Sequence, residues 1–144
     1  MSGVNGPRLV FWEATAGCNL ACRHCRRLEV SRALSKRDLT TEQAKTHLID
    51  ALIKVGRPVL VFSGGEPLLR SDLFDLAAHA VSQSLPIALA TNGTLIDEVM
   101  ADRIAAAKFE RVAVSLDGAD AATHDAFRGQ AGAFDAAVEG LQRL

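Results

Sequence analysis

Three thiols crowd one short stretch of this sequence. Cys18, Cys22 and Cys25 are spaced Cys-x3-Cys-x2-Cys, and the chain has no other cysteine. An odd count excludes a complete disulfide framework. Clustered thiols in a chain whose start, Met1 to Pro7, lacks the apolar core of a secretory signal point to metal or redox chemistry. Thiolates are soft ligands suited to iron–sulfur clusters or zinc. A [4Fe–4S] cluster usually takes four cysteines. Three would leave one iron open to a small molecule, which is a reactive arrangement rather than a purely electron-carrying one. Zinc is the rival, with His24 completing a Cys3His set. His24 directly precedes Cys25, however, and neighbouring residues fit one tetrahedral ion poorly, so the spacing favours the cluster. Arg23, Arg26 and Arg27 would offset the negative charge of bound thiolates; their plainer reading is a solvated loop.

Three more polar turns stand out. Ser63-Gly64-Gly65-Glu66-Pro67-Leu68 follows an apolar run. Its glycines would let backbone carbonyls approach a ligand, and Glu66 adds an acceptor suited to a cationic group such as an amine. A lone Gly-Gly is more simply a tight turn. Thr91-Asn92-Gly93 and Ser115-Leu116-Asp117-Gly118 follow two further apolar runs, and each alone reads as a turn. Together with the cysteine loop they can line one rim, because functional sites in parallel β/α folds gather at the carboxyl ends of strands. His24, His47, His79 and His124 show no ligand spacing, and His47 and His79 are expected at a surface or boundary. Asp38 to Glu42 and Asp97 to Asp102 are expected as solvated helix faces and caps.

The elements that must position these turns alternate in type. Apolar runs at 8–13, 58–63, 86–90 and 111–116 read as strands. The second to fourth are nearly continuous in apolar residues, as strands buried on both faces would be. Trp12 is expected to pack in the barrel. Thr40 or Thr41 caps a helix running to about Val55, with Gly56 and Pro58 beyond it. Ser71 and Asp72 open a second helix, which ends near Ser84. Thr94 opens a third, with Ile96, Val99, Met100 and Ile104 on one face, and a last helix covers about 132–144. This predicts an α/β fold of about four parallel β/α units with right-handed crossovers. Four units are too few for a closed eight-stranded barrel. Residues 1–7 read as a flexible N-terminus, and 8–144 as a single core domain that ends within the barrel.

The 144 residues are 49% hydrophobic and 23% charged with a net charge of -1. That balance suits a globular core and gives no reason to expect nucleic acid or an anionic membrane as partner. No apolar run approaches the roughly 18 residues of a spanning helix. A cytoplasmic protein is expected.

From about Leu9 onward the chain resembles the radical S-adenosylmethionine (SAM) superfamily. Cys18-x3-Cys22-x2-Cys25 matches the signature loop of that family, and Gly64-Gly65-Glu66-Pro67 matches its second motif, in the right order and at about the right distance. The resemblance implies a partial TIM-like (β/α)6 barrel and a [4Fe–4S] cluster on the three cysteines. It implies that SAM chelates the open iron, with its amino group received by Gly64, Gly65, Glu66 and Pro67. Ser115 and Arg128 take the positions of SAM contacts known in related enzymes, Arg128 as a guanidinium partner for the carboxylate. The implied reaction is reductive cleavage of SAM to a 5′-deoxyadenosyl radical, which abstracts hydrogen from a substrate. A low-potential electron donor of ferredoxin or flavodoxin type is implied with it. The stretches from Phe11 to Leu20, Ala90 to Ile96 and Ser115 to Ala119 are similar to the tetrapyrrole-modifying branch, which includes haem b synthase-like and haem d1-related members. Peptide-maturing enzymes share much of the pattern. Small-molecule or peptide substrates are therefore both implied, as is a non-catalytic cluster-binding piece. His24 stands where the family often has an aromatic residue. The last two β/α units and a cysteine-rich C-terminal extension have no counterpart in these residues.

Overall fold

A computed structural model describes residues 6–25 and 38–144. Residues 1–5 and Arg26 and Arg27 lie outside them. Four parallel strands, β1 (Leu9–Thr15), β2 (Val59–Gly64), β3 (Ile87–Thr91) and β4 (Arg111–Val114), form one sheet in the order of the sequence. This is the expected partial barrel wall, each strand joined to the next by a crossover.

Helix α1 covers 41–54 and opens with a capping box. The Thr40 hydroxyl accepts from Gln43 N, and the Gln43 side chain accepts from Thr40 N. Its middle, Ala44–Ile49, is wound as a π-helix. The helix stops where Gly56 and Arg57 both take positive φ, 121° and 56°. Helix α2 (Leu73–Ser82) buries Leu73, Leu76, Ala77 and Ala80, the i, i+3, i+4, i+7 stripe of a helix on a sheet. Helix α3 (Glu98–Ala106) is capped by Asp97, which accepts from Met100 N at 2.7 Å. It starts four residues after Thr94, and Val99 is 69% exposed, so the expected apolar face loses Val99 and takes Ala101 with Ile104.

Helix α4 (Ala121–Arg128) is not among the expected helices. Asp120 caps it through Thr123 N, and Gly129, in the left-handed region, ends it. Helix α5 (Ala133–Arg143) follows at once, because Asp125 of α4 accepts from both Gly132 N and Phe134 N.

The strands present their alternate residues to two different surroundings. Val10, Trp12, Ala14, Leu60, Phe62, Ile87, Leu89, Val112 and Val114 join one cluster with the buried faces of α1, α2 and α3. Trp12 belongs to this helix-covered layer, 5.5 Å from Phe62, and so lies outside the barrel rather than in it. Leu9, Phe11, Glu13, Val61, Ser63, Ala88 and Ala90 occupy the other face in register. Val61 and Ala88 are buried there, as expected for central strands, while β4 is not: Arg111 and Ala113 are exposed. No helix among the described residues is long and apolar enough to cross a membrane.

Candidate active site at the carboxyl rim

The ends of all four strands meet at one cleft of about 340 Å³. It is lined by Cys18, Cys22, His24 and Cys25 from the loop after β1, Ser63, Gly64 and Gly65 after β2, Thr91 and Asn92 after β3, and Ser115 and Arg128, with Glu13 on its floor. A larger concavity, about 680 Å³, sits at the opposite end among Pro7, Arg8, Gly56, Arg57 and Pro58. The rim cleft is the one that gathers the reactive side chains.

The glycine turn does more than leave room for a ligand. Gly65 N donates to Thr15 O and Glu66 N to Gly17 O, both at 2.8 Å, so this turn is zipped to the cysteine loop by backbone bonds. A Cβ on Gly65 would stand 2.1 Å from Gly17 O, and one on Gly64, whose φ is 121°, 2.4 Å from Thr15 O. Only glycine permits that approach.

Glu66 turns away from the cleft. Its fully buried carboxylate accepts from Leu68 N (3.0 Å), Thr91 Oγ1 (2.7 Å) and Asn92 N (2.8 Å), fastening the β2 turn to the end of β3. Burial raises its pKa, against the pull of those hydrogen bonds and the Arg128 charge. The side-chain acceptor expected for an amine is thus committed inside the protein, and Pro67 is buried behind it. What faces the cleft from this motif is Gly64 and Gly65.

The cysteine loop is braced on three sides. Asp38 accepts from Thr15 Oγ1 at 2.6 Å and Ala16 N at 3.1 Å, a tie rather than the solvated position expected. Asn92 donates to Asn19 Oδ1 and Asn19 donates to Thr94 Oγ1, both at 2.9 Å. Arg23 N donates to Phe127 O at 2.8 Å. Behind the loop, Arg70 donates to Ala14 O and Leu39 O and pairs with Asp72 at 2.6 Å. Burial pushes the Asp72 carboxyl up, but hydrogen bonds from Arg70 and Thr41 and the Arg70 charge outweigh it and hold it low.

The three thiols differ in burial: Cys18 is half-buried, Cys22 buried and Cys25 exposed. Burial raises the Cys18 pKa against a hydrogen bond from Leu20 N, and the charges of Glu66, Cys22 and Cys25 add to the rise. Three thiols on one cleft are a soft donor set, which fits thiolate-bound iron. Among the described residues no three His, Cys, Asp or Glu side chains gather around one ion position. His24 instead lies 3.7 Å from Asp117 and packs on Phe127. That arrangement gives the Cys3His zinc alternative no support.

Ser115 and Arg128 both reach the cleft. Arg128 is 8% exposed and ends α4 with its Nε 2.8 Å from Asp117 Oδ2, off the line of a hydrogen bond. Asp117 was legible only as part of a polar turn. Its pairing with Arg128 depends on α4, for which the sequence offers the cap Asp120 and the stop Gly129.

A parallel β/α barrel wall that gathers three thiols and a glycine turn on its carboxyl rim has the plan of a β/α enzyme with its site at the strand ends. The chain belongs to the Radical SAM superfamily, which it matches over residues 12–144. It is 47% identical over 141 residues to an AdoMet-dependent heme synthase of Methanosarcina barkeri, covering 98% of this chain and 40% of that protein. It is 46% identical over 133 residues to an Fe-coproporphyrin III synthase of the same organism, covering 92% of this chain and 33% of that protein. A solved structure of native anSMEcpe with bound AdoMet and Kp18Cys peptide aligns with 94% of this chain and 39% of its own, at 26% identity and a TM-score of 0.73. The chain therefore spans well under half the length of these relatives.

Proposed function

We propose that this chain forms the cluster-binding wall of a radical SAM enzyme of the tetrapyrrole-modifying type. Cys18, Cys22 and Cys25 hold a [4Fe–4S] cluster and leave one iron for the amino and carboxylate groups of SAM. Gly64 and Gly65 offer backbone acceptors to the amino group, on a turn that Glu66 and Pro67 anchor from behind. Ser115 and Arg128 take the carboxylate side. The bound cluster and SAM together supply a 5′-deoxyadenosyl radical for hydrogen abstraction when an electron arrives from a ferredoxin- or flavodoxin-type donor. The braces around the cysteine loop keep the ligands at fixed spacing without the cluster. A cytoplasmic setting suits such oxygen-sensitive chemistry.

The observation that carries this reading is the convergence of all three thiols, Gly64, Gly65 and Arg128 on one cleft. A tetrapyrrole substrate is favoured by the similarity to a heme synthase and an Fe-coproporphyrin III synthase. A peptide substrate is the second reading, favoured by the aligned structure that holds a peptide beside AdoMet.

Anaerobic reconstitution with iron and sulfide should give about four irons per chain and a protein that binds SAM. Replacing any one of the three cysteines with Ala should abolish the cluster, and Arg128→Ala should weaken SAM binding more than folding. Uptake of zinc with no cluster absorbance would sink the proposal.

A further inference from the structure

The environment of Arg128 carries a second role, one that concerns the cluster rather than SAM and rests on the reading above. Helix α4 delivers this side chain by docking its last turn on the cysteine loop. Arg23 N donates to Phe127 O, and a Cβ on Gly129 would come within 2.7 Å of Ala21 O. The guanidinium is thereby placed under the loop. Its Nη1 donates to Cys22 Sγ at 3.7 Å, and its Nη2 donates to Ser115 O at 3.1 Å.

A cation this buried needs a fixed counter-charge. Asp117 supplies it at 2.8 Å from Nε. Asp117 is itself held, because its backbone N donates to Nδ1 of His124 at 3.1 Å. His124 is 1% exposed and sits one turn before Arg128 on the same helix. The segment after β4 and helix α4 thus close into a brace that aims a positively charged donor at one thiol.

Positive charge and N–H donors on a ligating sulfur favour the reduced, more negative form of an iron–sulfur centre. We infer that Asp117 is a positioning residue that holds Arg128 as an N–H donor to Cys22, and that this pair raises the reduction potential of the cluster before SAM binds. Asp117 does not line the cleft and acts through Arg128.

The test is a potentiometric titration of the reconstituted cluster without SAM, followed by electron paramagnetic resonance. Arg128→Met should move the midpoint to lower potential. Asp117→Asn separates positioning from plain charge by sign. Removing a nearby negative charge alone would raise the midpoint, whereas releasing Arg128 from Cys22 lowers it. A lower midpoint is expected, and the double variant should fall no further than Arg128→Met. An unchanged midpoint in Arg128→Met, or a raised or unchanged one in Asp117→Asn, overturns the inference. Should Arg128→Met fail to fold, the sign in Asp117→Asn still decides. A wild-type protein that takes up no cluster would remove the underlying reading, whereas a normal cluster with unmoved potentials would remove this inference alone.

Discussion

The two faces of the sheet are made by alternate residues of the same strands, yet they do different work. On the helix-covered face Leu60, Phe62 and Ile87 are fully buried and Leu89 nearly so. On the other face Leu9 and Phe11 are 49% and 66% exposed, and the row above them, Glu13, Ser63 and Ala90, forms the floor of the cleft. The helix-covered face carries most of the hydrophobic burial, and the other, where Val61 and Ala88 are buried but Leu9 and Phe11 are exposed, supplies a surface on which a site can be built. The rim joins the two, because Glu66 is buried like a core residue while the half-buried Gly64 and Gly65 beside it line the cleft.

Four substitutions test that division, from the largest expected effect to the smallest. Phe62→Ala should cost about 3–5 kcal/mol in urea unfolding of the metal-free protein, as a buried aromatic deletion does. A loss no greater than that of an open-face residue would erase the distinction between the faces. Gly65→Ala should cost about 3 kcal/mol by overpacking, since its neighbour is the Gly17 backbone rather than a yielding side chain. Unaltered stability would show that the two loops are not zipped together.

Glu66→Gln should cost about 2 kcal/mol at neutral pH, because one amide oxygen replaces a carboxylate that serves three donors. Its pH dependence has a definite sign. The folded-state pKa of Glu66 is raised by burial, so the wild-type protein gains stability as pH falls through that raised value. The Glu66→Gln variant lacks this gain, and the gap between the two proteins should widen on the acid side. A gap that narrows there would mean that Glu66 is held ionised. Phe11→Ala should change stability least, by about 0.5 kcal/mol or less. A multi-kilocalorie loss would place Phe11 in a packed layer.

Much of the fold is legible in the sequence because its signals are local. Apolar runs marked all four strands, though β1 extends to Thr15, beyond the expected end at Glu13. Thr40 and Gly56 marked the two ends of α1 by local signals, whereas the start read at Thr94 lies before the actual cap of α3, Asp97. Helix α4 has no such apolar signal, because its one large apolar side chain, Phe127, is exposed and only His124 and Arg128 are buried. β4 read as doubly buried because its composition is apolar, whereas burial depends on what lies across the sheet.

The sequence by itself determined the family and the parallel β/α plan, and it singled out the three thiols. Each of these depends on spacing within a short segment or on the order of such segments. Tertiary structure alone decided the direction in which the polar rim groups point. Glu66 is claimed by donors 25 and 26 positions away at Thr91 and Asn92, and Arg128 reaches Cys22 across 106 positions. No local rule links residues so far apart. They meet because parallel crossovers return every strand end to the same rim, where a buried charge must find its partner.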